Sequence, residues 1–444
     1  MRPLGTLTPR LFGTDGVRGV AGEFLTADLA LALGRAVAAL APVEHPRVLI
    51  VRDPRESGEM LEAALAAGVA AGGGEALLGG VLPTPAAPLL LRRYRFDLAA
   101  VISASHNPFA DNGIKFFGPD GDKLSDEQED RIERSLDDPP AMPAAVGTVR
   151  RLHGTLEDYL RELHVRFQGL DLSGRRVLLD CANGATFRAA PEIFRRMGAT
   201  VATRADRPDG RNINDGCGST HVEALAADVV AGDHDVGFAF DGDGDRVLAV
   251  DRLGAVVDGD ELIALAACHL KAVGRLPGGG VAVTVMTNFG FHAAMERAGI
   301  AVAQTRVGDR YVLGALRQRG WSLGGEQSGH IIDLGFAPSG DGIAAALLCL
   351  EALDGRDLLQ RDGMRKLPQR LVNVRVRDLG ALDGAALVHE AIAREDAGLA
   401  GRGRVLVRPS GTEPLVRVMV EAPTREEADA VSERLVDVVR AQIA

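Results

Sequence analysis

The sequence predicts an α/β protein: three tandem α/β domains with mixed, largely parallel sheets, followed by a C-terminal α+β domain. Three observations predict it. A chain of 444 residues is too long for one core at roughly 150 residues per domain. Strand-like apolar runs alternate with helical stretches in three successive rounds, the pattern of βαβ units. After residue 368 that alternation gives way to short strands around two helices. The expected domains are 1–155, 156–256, 257–368 and 369–444.

The first round opens at Thr26, where an apolar stripe at Leu29, Leu33, Val37 and Leu40 recurs at helical spacing, with Thr26 as N-cap and Pro42 past the end. The strand Val48–Val51, a helix over Met60–Ala71, a strand over Ala76–Val81 and the run Leu98–Ile102 follow. The second round has a strand at Val177–Leu179, a helix over Phe187–Met197, and strands at Thr200–Thr203 and Val236–Phe240. The third has a helix over Asp260–Leu270 and strands at Val281–Met286, Ala301–Thr305 and Trp321–Leu323. Asp137–Val146, with Pro139, Pro140 and Pro143, reads as connecting chain. In the tail, a strand at Leu371–Val376, a helix over Ala385–Arg394, strands at Arg404–Val407 and Val416–Val420 and a helix over Thr424–Ile443 make the α+β domain. The first three rounds end in polar loops: Ser103–Pro108, Asp241–Arg246 and Gly324–His330. Ligands of open α/β sheets bind at the carboxyl ends of strands, so these loops are expected to share a cleft.

Composition narrows the partners. The formal charge is −11 and no basic run offsets it, which disfavours nucleic acid and anionic membrane surfaces. The longest stretch free of formal charge, Leu276–Met295, is interrupted by Pro277, Gly278, Gly279 and Gly280 and is no membrane span. The N-terminus lacks the apolar core of a signal peptide. Cys181, Cys217, Cys268 and Cys349 are far apart with no CxxC pair, which fits neither a disulfide scaffold nor a zinc site. A cytoplasmic protein with reduced thiols is expected.

Asp241-Gly242-Asp243-Gly244-Asp245-Arg246 places carboxylates at alternate positions. Three carboxylates converging on one point need a cation, and hard oxygen ligands suit Mg²⁺ or Ca²⁺. An EF-hand requires Gly after the third Asp and Glu at the twelfth loop position, where this chain has Arg246 and Arg252, so Mg²⁺ with room for a phosphate oxygen is the better reading. The plain alternative is a solvated acidic turn. Ser105 projects from a strand end beside His106. In an extended segment their side chains would diverge, and no GxSxG elbow surrounds them, so a hydrolase is disfavoured. A serine that carries a phosphoryl group needs cations and Mg²⁺ rather than a triad, and Lys115 is near enough in sequence to help; the alternative is a turn serine. Arg408-Pro409-Ser410-Gly411-Thr412-Glu413-Pro414, with Arg417, has the makings of a phosphate cradle or of a plain hairpin. Glu326, Ser328 and His330 suit sugar hydroxyls and a proton relay. Arg18, within Gly13–Gly19, is a glycine-flanked cation.

Taken in order, these five loops resemble the signature loops of the α-D-phosphohexomutase superfamily over nearly the whole chain. The stretches Asn212–Asn214 and Cys217–His221, with the exact forms of the last two loops, resemble members that act on glucosamine phosphates. The resemblance implies interconversion of glucosamine 6-phosphate and glucosamine 1-phosphate through a phosphoserine enzyme and a 1,6-bisphosphate, on the route to UDP-N-acetylglucosamine and cell-wall precursors. It further implies that Ser105 is the phosphoserine, sharing Mg²⁺ with Asp241, Asp243 and Asp245. Arg18 and Lys115 would flank the transferring group, Arg246 would hold phosphate nearby, and His106 would contact the substrate. Asp309, Arg310, Glu326 and Ser328 would face the sugar, and His330 would relay a proton. Arg408, Ser410, Gly411, Thr412 and Arg417 would clamp the phosphate that is not reacting. The expected partner is a small sugar phosphate, with no nucleic acid or membrane, and a homodimer is left open. The rival readings are a phosphomannomutase or phosphoglucomutase using the same apparatus, and a sugar-phosphate sensor without turnover.

Overall fold

A computed structural model describes residues 10–13, 15–138, 143, 145–376, 379–382, 384–409 and 415–443. The chain forms two compact units, Met1–Met286 with Ala301–Arg361, and Thr287–Ile300 with Asp362–Ala444.

The first sheet of the larger unit contains β1 (Val17–Val20), β2 (Arg47–Arg52), β3 (Glu75–Val81), β4 (Leu98–Ile102), β5 (Asp111–Phe117) and β6 (Thr148–Arg151), in the order β1-β5-β4-β2-β3-β6. Strands β4, β2, β3 and β6 are parallel, whereas β5 runs antiparallel to β4 and to β1. All five residues of β4 are buried, as expected of a central strand covered on both faces. The helices are α1 (Ala27–Leu40), α2 (Gly58–Ala71), α3 (Ala86–Tyr94) and α4 (Asp126–Asp137). The Thr26 hydroxyl accepts from the Leu29 amide and caps α1 as the sequence predicts. Of the expected connecting chain, Pro139 and Pro140 lie outside the described residues.

The second sheet holds β7 (Arg176–Asp180), β8 (Thr200–Arg204), β9 (Val236–Phe240), β10 (Val247–Asp251) and β11 (Val256–Val257), in the order β11-β10-β9-β7-β8. Around it lie α5 (Thr155–Arg166), α6 (Ala189–Arg196) and α7 (Glu223–Ala231). The expected helix over Phe187–Met197 starts later, at Ala189, because Ala185–Phe187 form a 3₁₀ turn first. Strand β10 pairs antiparallel with β9, Val247 opposite Phe240, so the aspartate loop is the tip of a hairpin.

The third sheet follows α8 (Gly259–Ala272), whose start is fixed by a capping box between Asp258 and Glu261. It contains β12 (Gly280–Thr284), β13 (Ala301–Thr305), β14 (Leu323–Gly325) and β15 (Ile331–Asp333), in the order β13-β12-β14-β15. The strand expected at Trp321–Leu323 begins at Leu323, where pairing with Val281 starts. Strands β14 and β15 are antiparallel, which makes Glu326–His330 a second hairpin tip. Between β12 and β13 the chain passes through α9 (Phe289–Arg297) in the smaller unit. After β13 come α10 (Asp309–Arg319) and α11 (Gly342–Leu353).

Helix α11 is buried along nearly its full length, and its N-terminus organises the loops. The Gly342 amide donates to the Gly244 carbonyl at 3.0 Å and the Gly340 amide to His330 Nε2 at 3.1 Å. Asp341 caps the helix by accepting from the Ala344 amide at 2.9 Å, and both its oxygens accept from the buried Tyr159 hydroxyl at 3.0 Å. Burial pushes the Asp341 carboxyl up to about 6 despite these donors. A raised carboxyl favours folding while protonated, and that contribution is lost as pH rises through about 6. Asp341→Asn keeps the capping oxygen and removes the titration. It is expected to match the wild type near pH 4 and to exceed it by about 3 kcal/mol above pH 7. Urea unfolding across that range checks this, and a constant difference between the two proteins would refute it.

The smaller unit contains β16 (Gln369–Arg375), α12 (Ala386–Leu399), β17 (Arg404–Pro409), β18 (Leu415–Glu421) and α13 (Arg425–Ile443). Its antiparallel sheet has the order β16-β18-β17. The core includes Val374, Val388, Leu399, Val416, Val418, Val420, Leu435 and Val439. Buried Glu421 accepts from Arg404 Nε and from the Phe289 amide, each at 2.8 Å, and so ties α9 to this sheet.

Candidate active site

Strand β4 ends at Ile102, and the next residues turn sharply. The Ser103 hydroxyl donates to Asp53 Oδ2 at 2.6 Å and accepts from the Ser105 amide at 2.9 Å. Ser105 is itself in the left-handed region, φ 53°, a conformation that non-glycine residues hold only when their surroundings enforce it. The enforcing group is Arg55, whose side chain is fully buried against Asp53 at 2.9 Å. Its guanidinium donates to the carbonyls of Ser105, Asn107 and Asp111 at 2.9 Å each, and also to that of Pro108. Asn214 Nδ2 adds bonds to the Ser105 and Asn107 carbonyls at 2.9 and 3.1 Å.

This geometry corrects one expectation. Ser105 is not extended, and its side chain does not diverge from that of His106: Oγ and His106 Nδ1 are 3.4 Å apart. The histidine is nonetheless engaged elsewhere, since Arg246 Nη1 lies 3.2 Å from the same nitrogen. Burial, aided by Arg246 and Arg18, lowers its pKa. The serine hydroxyl donates instead to Asp241 Oδ2 at 2.6 Å.

The aspartate hairpin brings three buried carboxylates together, with one oxygen of each within 4.8 Å of the others. Asp241 Oδ1 accepts from the Arg246 amide at 3.1 Å. Burial, then Asp245 and Asp243, push the Asp241 carboxyl well above the usual range. Asp243 Oδ2 accepts from Thr84 Oγ1 at 2.6 Å and from Lys115 Nζ at 3.0 Å. The other oxygens, Asp243 Oδ1 and Asp245 Oδ1, are buried and have no hydrogen-bond partner among the described residues. Orphaned buried carboxylate oxygens are costly, and a hard divalent cation would satisfy both, so the donor set fits a metal.

Cations surround this cluster. Lys115 is 99% buried, and although burial disfavours its charge, Asp15, Asp243 and Asp245 hold its pKa up. Arg18 pairs with Asp15, which Lys115 also approaches at 3.1 Å. From the third sheet, His330 places Nδ1 3.5 Å from Asp245 Oδ2 and Nε2 3.8 Å from Asp309 Oδ2. Burial lowers the His330 pKa, but Asp245 and Asp309 outweigh it and the pKa is raised. Glu326 Oε1 accepts from the Gly308 amide at 3.0 Å. Ser328, beside it, is exposed.

Ser105, His106, Lys115, the three aspartates, Arg246 and His330 therefore meet, with Arg18 and Asp309 joined through Asp15 and His330. Arg310 does not join them: it pairs with Asp126 and, at 3.3 Å, with Glu129, both on α4. In the smaller unit Arg408 and Arg417 face each other across β17 and β18. Burial and the neighbouring Arg417 lower the Arg408 pKa. Ser410, Gly411 and Thr412 lie outside the described residues. Sequence reasoning missed Asp53, Arg55, Thr84 and Lys123 and gave Asn214 no role. The rule that strand ends carry function applies to Asp53-Pro54-Arg55, directly after β2, and is the signal that could have found them.

A buried serine set against clustered carboxylates and cations, at the strand ends of tandem α/β layers, marks an enzyme of phosphoryl chemistry rather than a hydrolase. The chain belongs to the phosphoglucomutase/phosphomannomutase family. The family's models for alpha/beta/alpha domains I, II and III match residues 9–140, 157–254 and 258–370, and the model for its C-terminal domain matches 371–438. Among curated relatives, proteins named phosphoglucosamine mutase are 51% identical in Moorella thermoacetica, over 95% of this chain and 97% of the relative, and 47% in Bacillus subtilis, over 98% and 99%. A phosphoglucomutase/phosphomannomutase family structure from Burkholderia thailandensis superposes with a TM-score of 0.82 at 24% identity, covering 97% of each chain. An Aspergillus fumigatus N-acetylphosphoglucosamine mutase, solved with GlcNAc-6P and magnesium, gives 0.69 at 19%, covering 98% of this chain and 96% of that one. Among the described residues no helix is long and apolar enough to cross a membrane.

Proposed function

We propose that the chain interconverts glucosamine 6-phosphate and glucosamine 1-phosphate through phosphorylated Ser105 and a glucosamine 1,6-bisphosphate. The observation that carries this reading is the 2.6 Å approach of Ser105 Oγ to Asp241, beside two orphaned carboxylate oxygens, in a chain about half identical to proteins named phosphoglucosamine mutase. Asp241, Asp243 and Asp245 would hold Mg²⁺, which supplies neutralisation of charge on a phosphoryl group.

The chain's own residues account for the rest. The bond between Ser105 Oγ and phosphorus breaks as one forms to the free sugar hydroxyl, whose proton leaves to a neighbouring base; in the second half the bond from the other phosphorus to its sugar oxygen breaks as one re-forms to Oγ, and that sugar oxygen takes up a proton. Lys115 and Arg18 flank the group in transit, and such chemistry depends on positioning and charge more than on covalent activation. Arg246 holds phosphate oxygens beside His106. Glu326 and Ser328 take sugar hydroxyls, and His330 is placed to move a proton. Arg408 and Arg417 face each other as like charges, a destabilising pair that a sugar phosphate would relieve by accepting from both, with Ser410, Gly411 and Thr412 completing the clamp.

Chelation with EDTA is expected to abolish turnover, and Mg²⁺ at a hundredfold its dissociation constant should stabilise the protein by about 2.7 kcal/mol. Calorimetric unfolding with and without Mg²⁺ checks this; Asp243→Asn should erase the shift. The reaction itself is tested by following glucosamine 1-phosphate formation by ³¹P NMR, with a trace of hexose 1,6-bisphosphate, and by comparing kcat/KM among hexose phosphates. A higher kcat/KM for mannose 1-phosphate than for glucosamine 1-phosphate would replace this reading with a phosphomannomutase. A protein that never gains phosphate would be a sensor.

A further inference from the structure

Lys123 touches none of the three aspartates, yet its Nζ lies 2.5 Å from Asp15 Oδ1 and 2.6 Å from Asp309 Oδ2. Followed outward from these contacts, the charges close into a ring of alternating sign. Asp15 reaches Lys115 at 3.1 Å, Lys115 reaches Asp245 at 4.0 Å, Asp245 reaches His330 at 3.5 Å, and His330 returns to Asp309 at 3.8 Å. Three of the six members are aspartates, two are lysines and the sixth is His330, whose Nε2 also accepts from the Gly340 amide; they come from the loops and strands of all three sheets of the larger unit.

Buried like charges are tolerated only while counter-charges stand between them. Lys123 is shared by two carboxylates whose oxygens it holds within reach of one nitrogen. Asp15 is in turn divided among Lys123, Lys115 and Arg18. If Lys123 loses its charge, the whole attraction of Asp15 falls on the remaining two cations, and Lys115 is drawn off its 3.0 Å contact with Asp243. Nothing else among the described residues bridges Asp15 to Asp309.

We infer that Lys123 is a positioning residue of the phosphoryl-transfer centre, holding Asp15 back so that Lys115 stays poised between Asp243 and Asp245. The inference rests on the proposed mutase reaction for its kinetic consequence only. Its effect falls on the chemical step, because Lys115 and Arg18 are the cations placed beside the transferring group.

The test compares wild type, Lys123→Met, Lys123→Arg, Asp15→Asn and the double variant Lys123→Met/Asp15→Asn, after circular dichroism has shown each to be folded. With glucosamine 6-phosphate, Lys123→Met should lower kcat about 30-fold while KM changes less than about threefold. Lys123→Arg, which keeps the charge and can bridge two carboxylates, should recover kcat to within about fivefold of wild type. The double variant should lose less than the product of the two single losses. A crystal structure of Lys123→Met should show Lys115 Nζ moved away from Asp243. A folded Lys123→Met with kcat within twofold of wild type, a folded Lys123→Arg as impaired as the methionine variant, or a Lys115 that keeps its place would each overturn the inference. If Lys123→Met does not fold, Lys123→Gln is read by the same criteria. A wild type inactive on every hexose phosphate would defeat the mutase reading, and the position of Lys115 in the variant crystal would still decide the role of Lys123.

Discussion

Ser105→Ala is expected to lower turnover by at least about 10⁴-fold, the scale of removing a nucleophile that carries the covalent intermediate, while the protein stays folded. The two parts of this expectation have separate causes. The Oγ is the atom that would bear phosphorus, and no other hydroxyl among the described residues lies against Asp241. The backbone around it does not depend on that oxygen, since Arg55 and Asn214 hold the Ser105 carbonyl. Alanine adopts the 53° φ at a cost similar to that of serine. The hydrogen bond lost, to Asp241, contributes about 1–3 kcal/mol. Intact-mass measurement completes the test: after incubation with hexose 1,6-bisphosphate the wild type should gain one phosphate and the variant none. Turnover within tenfold of wild type, or a phosphate on the variant, would contradict the assignment.

The second large effect is expected at Arg55. Removing its side chain leaves Asp53 a buried charge without its partner and strips donors from the carbonyls of Ser105, Asn107, Pro108 and Asp111. Burial already raises the Asp53 pKa with Arg55 present. Breaking a buried ion pair from one side typically costs about 3–5 kcal/mol, and Arg55→Met should lose stability on that scale in urea unfolding. Arg55→Lys is the sharper variant, because an ammonium keeps the charge but cannot reproduce a fork that spans four carbonyls. It should retain more stability than the methionine variant yet lose about 10²-fold in kcat, the effect of misplacing a reacting group by about 1 Å. Wild-type kcat in folded Arg55→Lys would show that the serine turn holds its shape without the guanidinium.

Much of this centre was legible in the sequence because chemistry there is concentrated in short runs. Asp241, Asp243 and Asp245 alternate within five residues, and each polar loop follows a run of apolar strand residues. The features that escaped have physical reasons. Residues 343–350 of α11 are apolar without interruption, so no 3.6-residue period marks them as a helix. Strand β10 is a short run directly after the aspartates, and its pairing with β9 is a long-range choice that local propensity does not reveal. The left-handed turn at Ser105 depends on Arg55, fifty residues earlier, and the charge ring depends on residues from all three sheets of the larger unit meeting. Single charged residues such as Arg55 and Lys123 look like solvated surface until their burial is known.

One detail of the backbone bears on how the reaction can proceed. A β-carbon on Gly242 would stand 2.5 Å from the Ser105 carbonyl oxygen and 2.7 Å from Asn214 Nδ2, so the two turns are seated directly on one another with no side chain between. In the proposed reaction the phosphoryl-bearing serine and the carboxylates that would hold the cation therefore share one support. Turning the hexose end for end, as the proposed reaction requires, would then fall to the ligand and not to this joint.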